Sequence, residues 1–209
     1  MTTVTRPIHS YYQPAMARQR TPKLHPFTIA IDTREQCPFT FSRLLFGHES
    51  RMMIWTRRQT LKTGDYSIVG YEDKIAVERK SLIDLFSTLG QQRDRFEREF
   101  QRLAELEFSA IVVEGDFRDV LHPEAVDPMW PSKTHPHTIL GTVQSWQQRY
   151  KTSHWWFCPN RQFAEQMTFG ILEKYYRYSV LNKHDTHETN EFGSMDTSPS
   201  GNSFASGYC

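Results

Sequence analysis

The chain has 209 residues, enough for one domain with a sizeable core and additional tails. Its net charge of +1 excludes neither a packed core nor a nucleic-acid partner, because local patches rather than the total decide what a surface binds. Cys37, Cys158 and Cys209 are too few and too scattered for a disulfide framework or a zinc knuckle, and no apolar run approaches the ~18 residues that span a bilayer. A soluble, intracellular protein is expected, in the cytoplasm or nucleoid if its source is prokaryotic or phage.

Residues 1–25 are basic, rich in proline and without periodicity, and read as a flexible arm. FTIAID (27–32) reads as a buried strand and RMMIWTR (51–57) as a second. DYSIVG (65–70) and KIAVERK (74–80) read as a hairpin around Gly70, Tyr71, Glu72 and Asp73. From Ser81 the apolar period becomes helical, through Leu82, Leu85, Phe86 and Leu89, then Phe96, Phe100, Leu103 and Leu106. SAIVVEGD (109–116) returns to a buried strand. A loop rich in Pro and His (122–137) precedes a helix over 138–150, a strand over 154–158 and a helix over 161–179. Residues 183–209, rich in Ser, Gly, Thr and Asn, read as a disordered polar tail. Strands alternating with helices predict an α/β sandwich around a mixed sheet, spanning 26–182 as one domain.

Chemistry concentrates at the hairpin. Alternation places Glu78 and Lys80 on one face of their strand and Val77 and Arg79 on the other. A four-residue turn centred between Tyr71 and Glu72 sets Asp65 opposite Glu78; a three-residue loop or a bulge would shift that register by one. Two facing carboxylates repel unless a divalent cation lies between them, and hard oxygen ligands suit Mg²⁺ or Mn²⁺. Lys80, one pleat along, would position or deprotonate a water beside it, which suits attack on a phosphodiester. An exposed hairpin that simply carries Glu and Lys is the plainer alternative. Asp84, three residues after Ser81, fits a helix cap as well as a ligand. Asp32 closes a strand, as either a ligand or a turn residue.

Arg57, Arg58 and Lys62 lie in the segment feeding Asp65, where phosphate contacts are expected. Arg93 and Arg95 open a helix whose arginines alternate with acids; these two are the DNA-facing candidates, and the rest suit a solvated, salt-bridged face. His135 and His137 make a weak zinc signal without partner cysteines. Trp146, Trp155 and Trp156 could stack on bases but suit the core better.

Taken together, Asp32-Thr33-Arg34-Glu35, Gly64-Asp65 and Glu78-Arg79-Lys80 followed after three residues by Asp84 resemble the GD…ERKxxxD signature of the XPF-type endonucleases. VVEG (112–115) resembles the next core strand of that family. The resemblance covers about residues 26–180 and implies a restriction-endonuclease-like three-layer fold with Mg²⁺ or Mn²⁺ in the site. It implies that Asp65 and Glu78, with the backbone carbonyl of Arg79, hold the metal and that Lys80 orients or activates the water. It further implies that Asp32, Glu35 and Asp84 complete the acidic site and that Arg34 contacts or orders it. For the Arg79 side chain, on the opposite face, a structural salt bridge is the alternative. Many members carry a tandem helix-hairpin-helix module after the nuclease; the short polar tail here leaves none expected, so a preference for branched or flapped DNA is an analogy. The expected function is a metal-dependent DNA endonuclease in repair, recombination or processing, with homodimerisation through the nuclease domain suggested by the same analogy. The alternatives are a catalytically silent DNA-binding scaffold and a nuclease acting on RNA.

Overall fold

Buried β-branched and aromatic runs separated by turn residues and amphipathic helices assemble into one sheet with helices on both faces. The computed structural model describes residues 23–42, 44–46 and 50–181. The expected basic arm and polar tail therefore fall mostly or wholly outside the described residues. The strands are β1 (Lys23–Asp32), β2 (Leu45–Phe46), β3 (Ser50–Gln59), β4 (Tyr66–Ile68), β5 (Ile75–Ser81), β6 (Phe108–Glu114) and β7 (Ser153–Cys158). They form a seven-stranded sheet in the order β2-β3-β1-β4-β5-β6-β7. β1 and β3 run parallel, as do β5, β6 and β7, while β4 is antiparallel to both neighbours, so the sheet is mixed.

The helices are α1 (Leu82–Leu89), α2 (Arg93–Ala104), α3 (Phe117–Leu121), α4 (Pro123–Val126), α5 (Pro136–Arg149) and α6 (Arg161–Tyr175), the last continued by a π-helical turn over Tyr176–Leu181. α1, α2 and α5 bury Leu85, Phe86, Phe96, Phe100 and Trp146 against Ile111, Val113 and Trp155 on one face of the sheet. α6 and the segment carrying Phe39 and Phe41 cover the other face over Ile29, Ile31, Tyr66, Val77 and Val112. This is the expected three-layer arrangement. Trp146 and Trp155 belong to the core, at 2% and 8% exposure. His135, raised above as a zinc candidate, caps α5 instead, its Nδ1 accepting the His137 N–H at 3.2 Å.

Two differences from the sequence reading have local causes. α3 and α4 form where the chain leaves β6: Asp116 accepts the N–H groups of Arg118 and Asp119 while Asp119 accepts that of Asp116, a reciprocal cap. The final helix changes to π geometry at Tyr176 rather than running regularly to 179.

Candidate active site

The ends of β1 and β5, the approach to β4 and the helices α1 and α2 enclose a cleft of roughly 550 Å³ lined by Asp32, Arg34, Glu35, Asp65, Glu78 and Lys80, among others. The hairpin turn has the centring the sequence predicts. Tyr66 pairs with Val77, so Asp65 and Glu78 are the next residues outward on the two strands. The ladder loosens there: the Asp65 N–H donates to the Val77 carbonyl at 2.9 Å, and the Asp65 carboxylate accepts the Arg79 N–H at 2.8 Å. The Asp65 carbonyl in turn accepts the Asp32 N–H at 2.8 Å, so this one residue is clamped between β1 and β5. Gly64 makes the approach possible. Its φ is +75°, and an added Cβ would lie 2.9 Å from the Ala76 methyl carbon.

Alternation along β5 separates the site into two systems. On the α1/α2 side, Lys80 bonds Glu78 at 2.5 Å and its ammonium lies 4.6 Å from the Phe96 ring centroid. Burial pushes the Asp65 carboxyl well above the ordinary range, and the Glu78 charge adds to this. Burial also raises Glu78, against the pull of Lys80. For Lys80 burial alone would lower the pKa, but the adjoining Glu78 outweighs it and the ammonium is held charged. Of the two roles raised for Lys80, a cation that positions water or phosphate fits this better than a base.

On the α6 side, Arg79 donates to Glu114 at 2.7 Å and approaches Glu35 at 3.5 Å. Glu114 also accepts from Arg161 at 2.7 Å, and Arg161 bonds the carbonyls of Cys37 and Pro38. Both guanidiniums lie over the Phe39 ring, which stacks on Tyr66 next to Asp65. The Arg79 side chain is thus part of a salt-bridge network that joins the loop after β1 to α6, while its backbone N–H serves Asp65. Glu35 is buried and accepts the Cys37 N–H at 2.7 Å.

Of the two roles raised for Asp32, ligand or turn residue, its contacts are those of the turn residue. Its oxygens accept four hydrogen bonds, from Arg34 N (2.7 Å), Nε (2.8 Å) and Nη2 (2.9 Å) and from Leu61 N (2.8 Å). That set uses the lone-pair directions of a carboxylate and leaves Asp32 organising the turn. Burial would raise its pKa, but the Arg34 and Leu61 donors outweigh this and lower it. Asp84 sits in the first turn of α1, whose N-cap is Ser81: Ser81 accepts the Asp84 N–H at 3.1 Å and donates to the Asp84 carboxylate at 2.6 Å, and Asp84 also lines the cleft.

The basic candidates divide. Arg95 lines the cleft with Arg34. Arg57 and Lys62 are exposed beyond it. Arg58, also exposed, holds the loop after β1 by donating to the carbonyls of Thr33 and Glu35 at 3.0 Å each. Arg93, expected to face DNA with Arg95, is turned to α5, where it donates to Thr142 and lies 5.5 Å from the Trp146 ring centroid. Two residues of the site region were missed. Glu99 lines the cleft beside Lys80 and Asp84, and Glu114 anchors Arg79. Glu114 could have been found from VVEG, because β6 runs parallel to β5 and pairs Glu114 with Ser81, beside the ERK run.

A profile of the ERCC4 domain matches residues 31–169. The chain belongs to the ERCC4 domain family. Its domain is an XPF-type nuclease domain, and the matched span contains every residue of the cleft described above. Among solved structures it is similar to XPF from Aeropyrum pernix, at 18% identity and a TM-score of 0.53, over 81% of this chain and 75% of that one. A second structure, XPF from Aeropyrum pernix in complex with DNA, gives 18% identity, a TM-score of 0.52 and 81% and 76% coverage. No curated protein sequence matches the chain. Among the described residues no helix is long and apolar enough to cross a membrane.

The carboxylates Asp65 and Glu78 are hard oxygen donors, which suit Mg²⁺ or Mn²⁺ rather than a softer ion; Cys37 also lines the cleft. Among the described residues no three acidic, His or Cys side chains form a closed cage. Two crowded carboxylates, Glu78 buried and Asp65 half-buried, with the rest of the shell left to backbone oxygen and water match the way Mg²⁺ is usually held.

Proposed function

We propose that this ERCC4 domain is a divalent-metal-dependent DNA endonuclease that hydrolyses phosphodiester bonds at branched or flapped DNA. The observation that carries this is the juxtaposition of half-buried Asp65, buried Glu78 and Lys80, which is ion-paired to Glu78, in one cleft. Asp65, Glu78 and the Arg79 carbonyl would hold the metal, with Asp84 at the rim. A bound Mg²⁺ or Mn²⁺ supplies charge for the phosphate in its transition state. Lys80 presents an ammonium to the attacking water or to a phosphate oxygen. Arg34, with a 66% exposed side chain fixed on Asp32, offers a second cation at the mouth.

Arg57, Lys62 and Arg95 extend positive charge away from the cleft and would contact phosphates without reading sequence. The similarity to an XPF solved with DNA supports DNA as the partner. A homodimer through the nuclease domain would use the apolar groove of about 400 Å³ lined by Trp156, Met167, Ile171 and Tyr178. The assembled Asp65, Glu78 and Lys80 speak against a silent scaffold.

The test is a panel of duplex, flapped, forked and single-stranded DNA and of RNA, assayed with Mg²⁺, with Mn²⁺ and with chelator. Cleavage of branched DNA that needs metal and vanishes in Asp65→Ala and Glu78→Ala is expected. Unchanged cutting by both variants would sink the site, and cutting of RNA alone would replace the substrate.

A further inference from the structure

Among the described residues, the part of one sheet face formed by β1 and β3 carries no helical layer, although Ala30 and Asp32 of β1 are themselves buried there. α1, α2 and α5 cover β5 to β7, but no residue of β1 or β3 enters that core among the described residues. On the same side lie Thr28, Ala30 and Asp32 of β1 and, in register with them, Trp55, Arg57 and Gln59 of β3. The alternate residue Ile54 packs with the opposite core, which fixes the direction of this stripe. Trp55 is 56% exposed and Met53 49%. Tryptophan is highly buried on average, so an indole more than half exposed beside an exposed Met53 asks for an occupant.

The stripe leads to the cleft. β3 is parallel to β1 and pairs Gln59 with Asp32, so Trp55 lies about 13 Å back along the strand and Arg57 about 7 Å back. Arg57 donates through Nε to Gln59 at 2.9 Å. Glu72, the nearby acid, accepts from Gln59 Nε2 at 2.5 Å and from the Gly70 N–H at 3.0 Å and also feels the Arg57 charge, so a phosphate would share Arg57 with it. An indole and a guanidinium on one strand face, two residues apart, present a stacking plane and a phosphate donor. Single-stranded nucleic acid is bound with that pair of groups, whereas the bases of a duplex are already stacked and paired.

We propose that Trp55 is a stacking platform for an unpaired base of a DNA strand approaching the cleft, with Arg57 holding the backbone beside it. This rests on the reading of the cleft as a DNA-cleaving site. Charge and position choose the occupant: the stripe runs from the indole through Arg57 to the exposed Arg34, and it ends where a phosphate would be cut.

The experiment uses the full chain and two labelled DNAs, a duplex with a single-stranded arm and the same duplex blunt, with binding followed by anisotropy in chelator. Trp55→Ala should lower the preference for the armed over the blunt duplex about tenfold, within the range alanine substitution gives for one stacked base. Trp55→Phe should recover most of it, and Arg57→Gln should reduce the salt slope by about one charge. An unchanged preference in Trp55→Ala overturns the subsite. So does an unchanged preference accompanied by new protease sensitivity in residues 1–22, which would assign the face to the chain's own N-terminal segment. A wild type that cuts no DNA overturns the endonuclease reading itself. A wild type that cuts armed DNA, with a Trp55→Ala preference left intact, overturns only the platform.

Discussion

Asp32→Asn separates a turn-organising carboxylate from a metal ligand. The asparagine oxygen can keep two of the four donors, but its amide nitrogen must then face the other two, either Leu61 N and Arg34 Nη2 or the Arg34 N and Nε pair. Leaving a buried backbone N–H without an acceptor costs about 1–3 kcal/mol. The contact with the exposed Arg34 head adds less than about 1 kcal/mol, and weaker acceptance from the surviving donors brings the loss to about 3 kcal/mol. For a domain of this size that is a fall in Tm of roughly 6–12 °C. The assay is thermal unfolding by circular dichroism in chelator, where any metal contribution is removed. Because Asp32 has a lowered pKa, its contribution is complete above the unfolded value near 3.9 and is lost as pH falls through the lower folded value. Wild type and variant should therefore converge in acid. A variant melting within about 2 °C of wild type in chelator, yet no longer stabilised by Mg²⁺, would refute the reasoning and restore Asp32 as a ligand.

Asp65→Asn should behave in the opposite way: cleavage and Mg²⁺-induced stabilisation disappear, while the metal-free protein melts no lower than wild type, since one of two crowded charges is gone. A carboxyl whose folded pKa is raised binds more protons when folded, so metal-free wild type should lose stability as pH rises through that raised value, a trend visible in melting curves taken in chelator and flattened in the variant. Glu114→Gln weakens two charge-assisted bonds that fix Arg79 and Arg161, and a loss of about 2–3 kcal/mol with slower cleavage is expected from denaturant titration and single-turnover assays. Gly64→Ala must adopt φ +75° against the Ala76 methyl, and should cost about 1–3 kcal/mol in denaturant titration while reducing cleavage more than a surface Gly→Ala change does.

Much of this architecture was legible because local rules and global pairing agree. Period-two alternation separated Glu78 from Arg79, and the turn chemistry around Tyr71 set the register that now brings Tyr66 to Val77. What escaped depends on partners distant in the chain. Asp32 is saturated partly by Leu61, Arg93 is captured by Thr142, and Arg58 is taken by the carbonyls of Thr33 and Glu35. Each of these side chains has partners that only the tertiary fold supplies. Glu99 was hidden for another reason. Between arginines it looks like surface charge, and only the short turn after α1 swings α2 so that this residue faces Lys80.

The Gly64 contact also constrains its neighbour. Ala76 is fully buried on the strand that carries Glu78 and Lys80, and its methyl occupies the volume a side chain at 64 would need. A bulkier residue at 76 would therefore press on the Gly64 backbone and shift Asp65 relative to Glu78. A methyl group with no reactive chemistry thus acts as a spacer beneath the two carboxylates, and enlarging it could disable the cleft while leaving every polar side chain in place.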